Sequence, residues 1–258
     1  MKRLISLAIA VVTAIAMTAC VIEKRHAQDG SPRDGLCAVA FKADNFERVI
    51  LGGSVTLVYT QGPTDSIRIE CAEEDKEDLE VEQDGNQLSI SLKGRQRGFG
   101  RGSSRKVFAY ASSPSLTRID ARGACGIKMK EPVKFGDLRI MGSGASDVEI
   151  RDIAADALRI ETSGAGNVKI DAAAATEFRV EISGAGNVEA KLRKSERVDV
   201  QVSGAGDIDL DLEECGDVTC QVSGAGNIAL RGDARSANTT ANGAGRVDKS
   251  DLRIGGGR

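Results

Sequence analysis

The phrase Ser-Gly-Ala-Gly-Asn/Asp recurs at Ser163, Ser183, Ser203 and Ser223, each copy twenty residues after the last, and a near copy begins at Ser143. An unslipped period of this kind constrains the fold strongly, because every copy must find the same surroundings. Aligned at the twenty-residue offset, Leu138, Leu158, Phe178, Val198 and Val218 share one column, and Ile140, Ile160, Val180, Val200 and Cys220 share the next. Beyond the phrase, Val148, Val168, Val188, Ile208 and Ile228 form a third column, and Ile150, Ile170, Ala190, Leu210 and Leu230 a fourth. Polar residues alternate with these apolar ones, which is strand periodicity on both sides of the phrase.

Two short strands cannot bury their apolar faces alone, whereas copies stacked by translation enclose a continuous core. The pattern therefore predicts an all-β chain, a parallel β-helix with coils of about 20 residues, each coil about 4.8 Å above the last. The competing arrangement treats each phrase as a hairpin turn, giving an antiparallel sandwich or barrel. Charges discriminate between the two. Stacking sets Arg151, Asp171, Lys191, Asp211 and Arg231 in one column of alternating sign, whereas hairpins would oppose Glu181 to Glu189 and Arg179 to Lys191. Like charges directly opposite are unfavourable, so the pattern favours stacking. One column disagrees, since Arg139, Arg159 and Arg179 would stack as like charges, with Glu161 and Glu181 at hand to relieve them.

In such a stack the glycine phrase is a corner, where small residues let successive turns approach closely and Gly supplies positive φ. The residue after it, Asp147, Asn167, Asn187, Asp207 or Asn227, is short and polar and suited to hydrogen bonding along the stack. Outside the regular coils, "RGACGIKM" from Arg122 reads as a copy offset by twenty-one and "NGAGRV" from Asn242 as a copy offset by nineteen. The segments "FERVILGGSVTLVYTQG", "DSIRIECA" and "NQLSISLK" read as alternating strands. A single domain over 37–254 follows, with the twenty-residue repeats spanning 138–247 and irregular coils at its ends.

The order "FERVILGGSVTLVYTQG", "LEVEQDGNQLSISLK", then repeated "SGAGN/D" units resembles the bacterial putative auto-transporter adhesin, head GIN domain family, over most of the chain from Phe41 to Val247. The resemblance implies a parallel β-helix on an exported protein with an adhesive role. It brings no set of functional residues with it.

Residues 1–19 pair Lys2 and Arg3 with an apolar run from Leu4 to Ala16, which is the build of an export signal. "AMTAC" resembles a bacterial lipobox and marks Cys20 as the lipid attachment site, giving a membrane anchor without a spanning helix. Residues 20–36 are polar and read as a flexible tether. The residue after Cys20 is not Asp, which in a Gram-negative cell favours the outer membrane, facing either the periplasm or the outside.

The formal net charge of −3 implies no global attraction to nucleic acid. Beyond Cys20 lie Cys37, Cys71, Cys125, Cys215 and Cys220, an odd number in a compartment where disulfides form. Cys37 with Cys71 and Cys215 with Cys220 are the two candidate bridges. The chemistry a glycine phrase suggests is not supported by its surroundings. No Gly-Lys-Ser/Thr opens a helix, which argues against a nucleotide site. Three of the five corner residues are Asn, too few carboxylates for a calcium ladder, so no cofactor and no metal are expected. The only histidine, His26, falls in the tether, leaving no catalytic pair in the domain. Asp209, Asp211 and Glu189 share an outward face as candidates for carboxylate glycan cleavage, but among oppositely charged neighbours they read as a solvated surface. The segment "KGRQRGFGRGSSRK" sets Lys93, Arg95, Arg97, Arg101, Arg105 and Lys106 around Phe99, a loop able to grip an anionic ligand. The chain thus reads as an envelope lipoprotein presenting a non-enzymatic scaffold, with the membrane, an envelope polysaccharide or a surface protein as partner. The competing functions are a glycan-active β-helix enzyme and a purely structural envelope component.

Overall fold

The computed structural model describes residues 36–93 and 107–255. Cys20, the export signal and the basic residues Arg95, Arg97, Arg101, Arg105 and Lys106 lie outside the described residues. The described chain is a parallel β-solenoid of about 7 turns. Its first part contains β1 (Cys37–Phe41), β2 (Arg48–Gly53), β3 (Val55–Gln61), β4 (Ser66–Cys71), β5 (Leu79–Asp84), β6 (Gln87–Leu92) and β7 (Val107–Ser113), with a 3-10 turn at Glu73–Asp78. The coils proper are built from β8 (Arg118–Met129), β9 (Val133–Lys134), β10 (Asp137–Ile150), β11 (Ile153–Ala165), β12 (Val168–Ala185), β13 (Val188–Arg193), β14 (Arg197–Ala205), β15 (Ile208–Ala225) and β16 (Ile228–Ala244). The short β17 (Val247–Asp248) and β18 (Leu252–Ile254) follow.

Every coil has three faces. Face one precedes the glycine phrase, face two follows it, and a short face three, such as Ile153–Ala155, returns the chain to the next coil. The predicted columns are the observed register. Leu158 pairs with Phe178 and Ile160 with Val180 between β11 and β12. Val168 pairs with Val188 on face two. Both degenerate copies also fall in step, with Gly144 opposite Gly123 and Ser223 opposite Asn242. The strands on either side of Gly164 lie on different faces and pair with other coils, so the hairpin arrangement does not occur.

The inward columns are completely buried, including Leu158, Ile160, Phe178, Val180, Val198 and Val200. Each such side chain contributes about 1.5–3 kcal/mol through removal from water, which makes the ladders the main stabilising term. At the corners the backbone itself is the packing surface. A Cβ on Gly206 would overlap the carbonyl oxygen of Gly186 one coil away. The same Gly206 donates its N–H to Ala225 O at 2.9 Å, so it cannot retreat without breaking a ladder bond. Gly184 adds a φ of 130°, inaccessible to ordinary side chains. The residue after the phrase acts as a polar rail. Asn187 N–H donates to Asn167 Oδ1 at 3.2 Å, Asp207 N–H to Asn187 Oδ1 at 2.9 Å and Asn227 N–H to Asp207 Oδ1 at 2.7 Å. Only a side-chain oxygen two bonds beyond Cβ is needed there, so Asp and Asn serve equally.

The like-charged arginine column is relieved largely by the acidic residues beside it. Arg139 pairs with Glu161 at 2.9 Å, Arg159 with Glu177 at 2.8 Å, and Arg179 with both Glu181 and Asp199. In the alternating column Lys191 pairs in register with Asp211 and Asp211 with Arg231, but no ion pair closes along the column among the described residues. Arg231 reaches diagonally to Asp209 at 2.6 Å instead. That column therefore records the stacking without measurably strengthening it, as expected for exposed charges.

The two ends close differently. At the first end, parallel stacking continues through β2 on β6 and β3 on β7, then gives way to antiparallel pairs of β4 with β7, β1 with β4 and β5 with β6. The alternation in these segments shows that they are strands but not which way they run. At the far end the inward positions opposite Val218, Cys220 and Val222 become Ala237, Thr239 and Ala241, smaller or more polar because no coil covers them on face one among the described residues. The proposed Cys215–Cys220 bridge is overturned. Both residues lie on β15, five positions apart, about 16 Å in an extended strand and far beyond disulfide reach. Cys215 Sγ instead donates to Leu192 O at 3.5 Å.

Two substitutions separate the ladder from the corner. Ile160→Ala should destabilise by about 2–5 kcal/mol in urea unfolding. Gly206→Ala should cost about 3 kcal/mol or more, because the obstacle is backbone. Gly85→Ala, at φ 57° with open space around it, should cost only about 1–2 kcal/mol. Equal losses at the two glycines would contradict the close-packed corner.

Candidate functional site

The outward residues of face one follow the same column logic. Nearest the corner run Arg122, Ser143, Ser163, Ser183 and Ser203, in direct register. Two residues back run Asp120, Met141, Glu161, Glu181 and Gln201, and two further back stand Arg118 and the arginines of the relieved column. Small hydroxyls beside long charged side chains leave a trough along the solenoid axis, a groove of about 420 Å³. It crosses five coils, from Arg122 to Ser203, about 19 Å at the interstrand spacing.

The floor is a file of serine hydroxyls repeating at the coil spacing. One wall carries carboxylates held in place by arginines, Glu161 by Arg139 and Glu181 by Arg179. At the end nearest β2, Arg118 grips Asp120 through two hydrogen bonds of 2.8 and 3.0 Å, whereas Arg122 is exposed and engages no side chain among the described residues. The arrangement offers repeated donors and acceptors with one free guanidinium at its end. Hydrogen bonding to an extended polar chain is the chemistry it can support. The trough escaped sequence reading because attention to the glycines obscured the serine. Its signal was an outward hydroxyl repeated beside outward charges two residues away.

The carboxylates singled out for glycan cleavage are placed differently. Glu189 pairs with Lys169 at 3.1 Å and Asp209 with Arg231, on face two and outside the groove. The described thiols are equally occupied. Burial pushes the Cys220 thiol up to about 12, and burial together with neighbouring Cys37 does the same for Cys71. Shut in the core with no thiol beside it among the described residues, Cys220 is not a nucleophile at neutral pH.

A family model described as "Putative auto-transporter adhesin, head GIN domain" matches residues 45–214 and 192–255. The chain belongs to this family. A comparison with curated proteins found no match. Among solved structures, a putative adhesin from Bacteroides fragilis superposes with a TM-score of 0.70 at 21% identity, covering 84% of this chain and 98% of that one. A putative lipid binding protein from Parabacteroides distasonis gives 0.57 at 16% identity, covering 84% and 97%. A putative adhesin from Parabacteroides merdae gives 0.55 at 18% identity over the same shares. At these identities the likeness is one of fold, and the head GIN fold is the solenoid described above. Among the described residues no helix is long and apolar enough to cross a membrane.

Near the far end of the head GIN solenoid, Arg235 binds Asp217, and Ser236 Oγ lies 2.7 Å from it. The guanidinium first, and the hydroxyl second, hold the Asp217 carboxyl at about 2, below its ordinary 3.8. A depressed carboxyl contributes stability that is complete above about pH 4 and is lost as pH falls through 2. Arg235→Ala should return the Asp217 titration to the ordinary carboxylate range in a carbon-detected NMR experiment. A midpoint unchanged from wild type would show that the pair does not persist in solution.

Proposed function

We propose that this head GIN protein is an exported, lipid-anchored envelope protein whose solenoid is a non-enzymatic adhesive scaffold, with the serine-floored groove as its ligand surface. The observation that carries the reading is the groove itself, a straight file of hydroxyls over the four coils from Ser143 to Ser203, flanked by arginine-tethered carboxylates. An envelope polysaccharide suits it best, because a polymer with regularly spaced hydroxyls can repeat the same hydrogen bonds coil after coil. A rigid scaffold supports this use, since prearranged donors need no ordering on binding. The family's adhesin description and the lipobox-like segment ending at Cys20 support the location.

Two measurements test the parts separately. Cys20→Ala should move the protein from the membrane fraction to the soluble one and abolish incorporation of labelled palmitate; unchanged membrane retention would refute the anchor. Ser163→Tyr with Ser183→Tyr fills the trough at exposed positions. In affinity electrophoresis through gels containing isolated envelope polysaccharide, this variant should bind at least about tenfold more weakly than wild type, with its circular dichroism spectrum unchanged. Equal retardation of the two proteins would remove the groove from the proposal.

A further inference from the structure

Cys37 opens β1, the first strand among the described residues, whose only partner among them is β4. Its direct register partner is Cys71, the last residue of β4. Directly opposed residues of an antiparallel pair project to the same face, with Cα atoms about 4.5–5.5 Å apart, inside the range a disulfide spans. Here the two do share a face. Cys37 Sγ already lies 3.1 Å from Cys71 O, and Val39 opposite Ile69 and Phe41 opposite Ile67 continue the same inward row. The remaining described cysteines are elsewhere. Cys125 and Cys215 point at backbone carbonyls of their own surroundings, and Cys220 lies in the core beneath face one.

We infer that Cys37 and Cys71 form a disulfide clasp that fastens the point where the N-terminal segment enters the solenoid. The inference rests on the proposed export only for the source of oxidant, a protein or small molecule carrying an exchangeable disulfide. Half-buried Cys37 is the accessible partner, with Lys76 and Glu73 beside it, while Cys71 is fully buried. The Cys37 thiol loses its proton, and its thiolate attacks one oxidant sulfur and expels the other as a thiol. The Cys71 thiolate then attacks the Cys37 sulfur of this mixed disulfide, forming the Cys37–Cys71 bond and expelling the second oxidant thiol. Two protons and two electrons pass to the oxidant's disulfide, which ends as two thiols.

Position gives the bond its purpose. A pull on the chain from its N-terminal side reaches β1 at Cys37, where an antiparallel pair would otherwise open one hydrogen bond at a time. A covalent link at that first residue carries the load directly into β4, which pairs in turn with β7.

The test uses the detergent-extracted full chain with oxidised glutathione as probe, followed by alkylation under denaturing conditions and peptide mapping. A linked Cys37–Cys71 peptide is expected, with Cys125, Cys215 and Cys220 recovered alkylated. The oxidised form should melt at least about 3 °C above the reduced one. Cys71→Ser should leave glutathione on Cys37 as a stable adduct, which shows that Cys71 is the resolving group and that the variant's edge strand is reached. A glutathione adduct persisting on Cys37 of the wild-type chain, or both thiols recovered alkylated, would overturn the clasp. Because the oxidant is supplied in the tube, either result stands whether or not the protein is exported.

Discussion

The structure depends on one constraint: parallel, in-register contact between identical stretches of backbone twenty residues apart. Backbone hydrogen bonds such as Gly186 N–H to Ala205 O at 2.9 Å hold the coils at strand spacing around the sharpest corner. At that spacing there is no room for a Cβ where Gly186 meets Gly166. The inward ladders supply most of the stabilising free energy, but the corner decides whether they align. A coil displaced by one residue would turn every inward side chain outward and place a side chain where only hydrogen fits.

The surface inherits the same order. Because register is unbroken along face one and its corner, outward residues there form straight files, and the chemistry of each file is set by one position of the repeat. The serine file becomes a floor, the glutamate and arginine files become a wall, and the asparagine file becomes a rail of backbone-capping oxygens. A groove several coils long thus arises without any loop being dedicated to it. Its walls are held by mutual ion pairs of modest strength, whose value is to fix side-chain direction more than to stabilise the fold.

Most of the architecture was legible because a period of twenty is visible without knowing which face is inside. Leu158 over Phe178, and the offsets of twenty-one at Arg122 and nineteen at Asn242, could all be read from letters alone. The ends were less legible. The strand containing Ile67 and Ile69 alternates in the same way whether it runs with its neighbour or against it, so its antiparallel pairing leaves no trace in composition. The cysteines show the same limit. Cys215 and Cys220 look paired by proximity in sequence, yet an extended strand carries them apart, while Cys37 and Cys71, thirty-four residues distant, are brought opposite each other by topology. The groove was legible in retrospect only, since Ser163 reads as part of a turn until its register with Ser183 and Ser203 makes it part of a surface.

The contact of glycine on glycine also governs how such a molecule can change its length. A one-residue change beside the short third face is absorbed there, as the offsets of twenty-one and nineteen show. An insertion within a strand next to the corner would put that corner out of step, whereas duplication of one complete coil presents the same corner to the same corner and adds about 4.8 Å of height. The length of the solenoid is therefore quantised. A lineage can lengthen or shorten this solenoid in whole storeys, keeping each file on its surface continuous while the two end structures stay as they are.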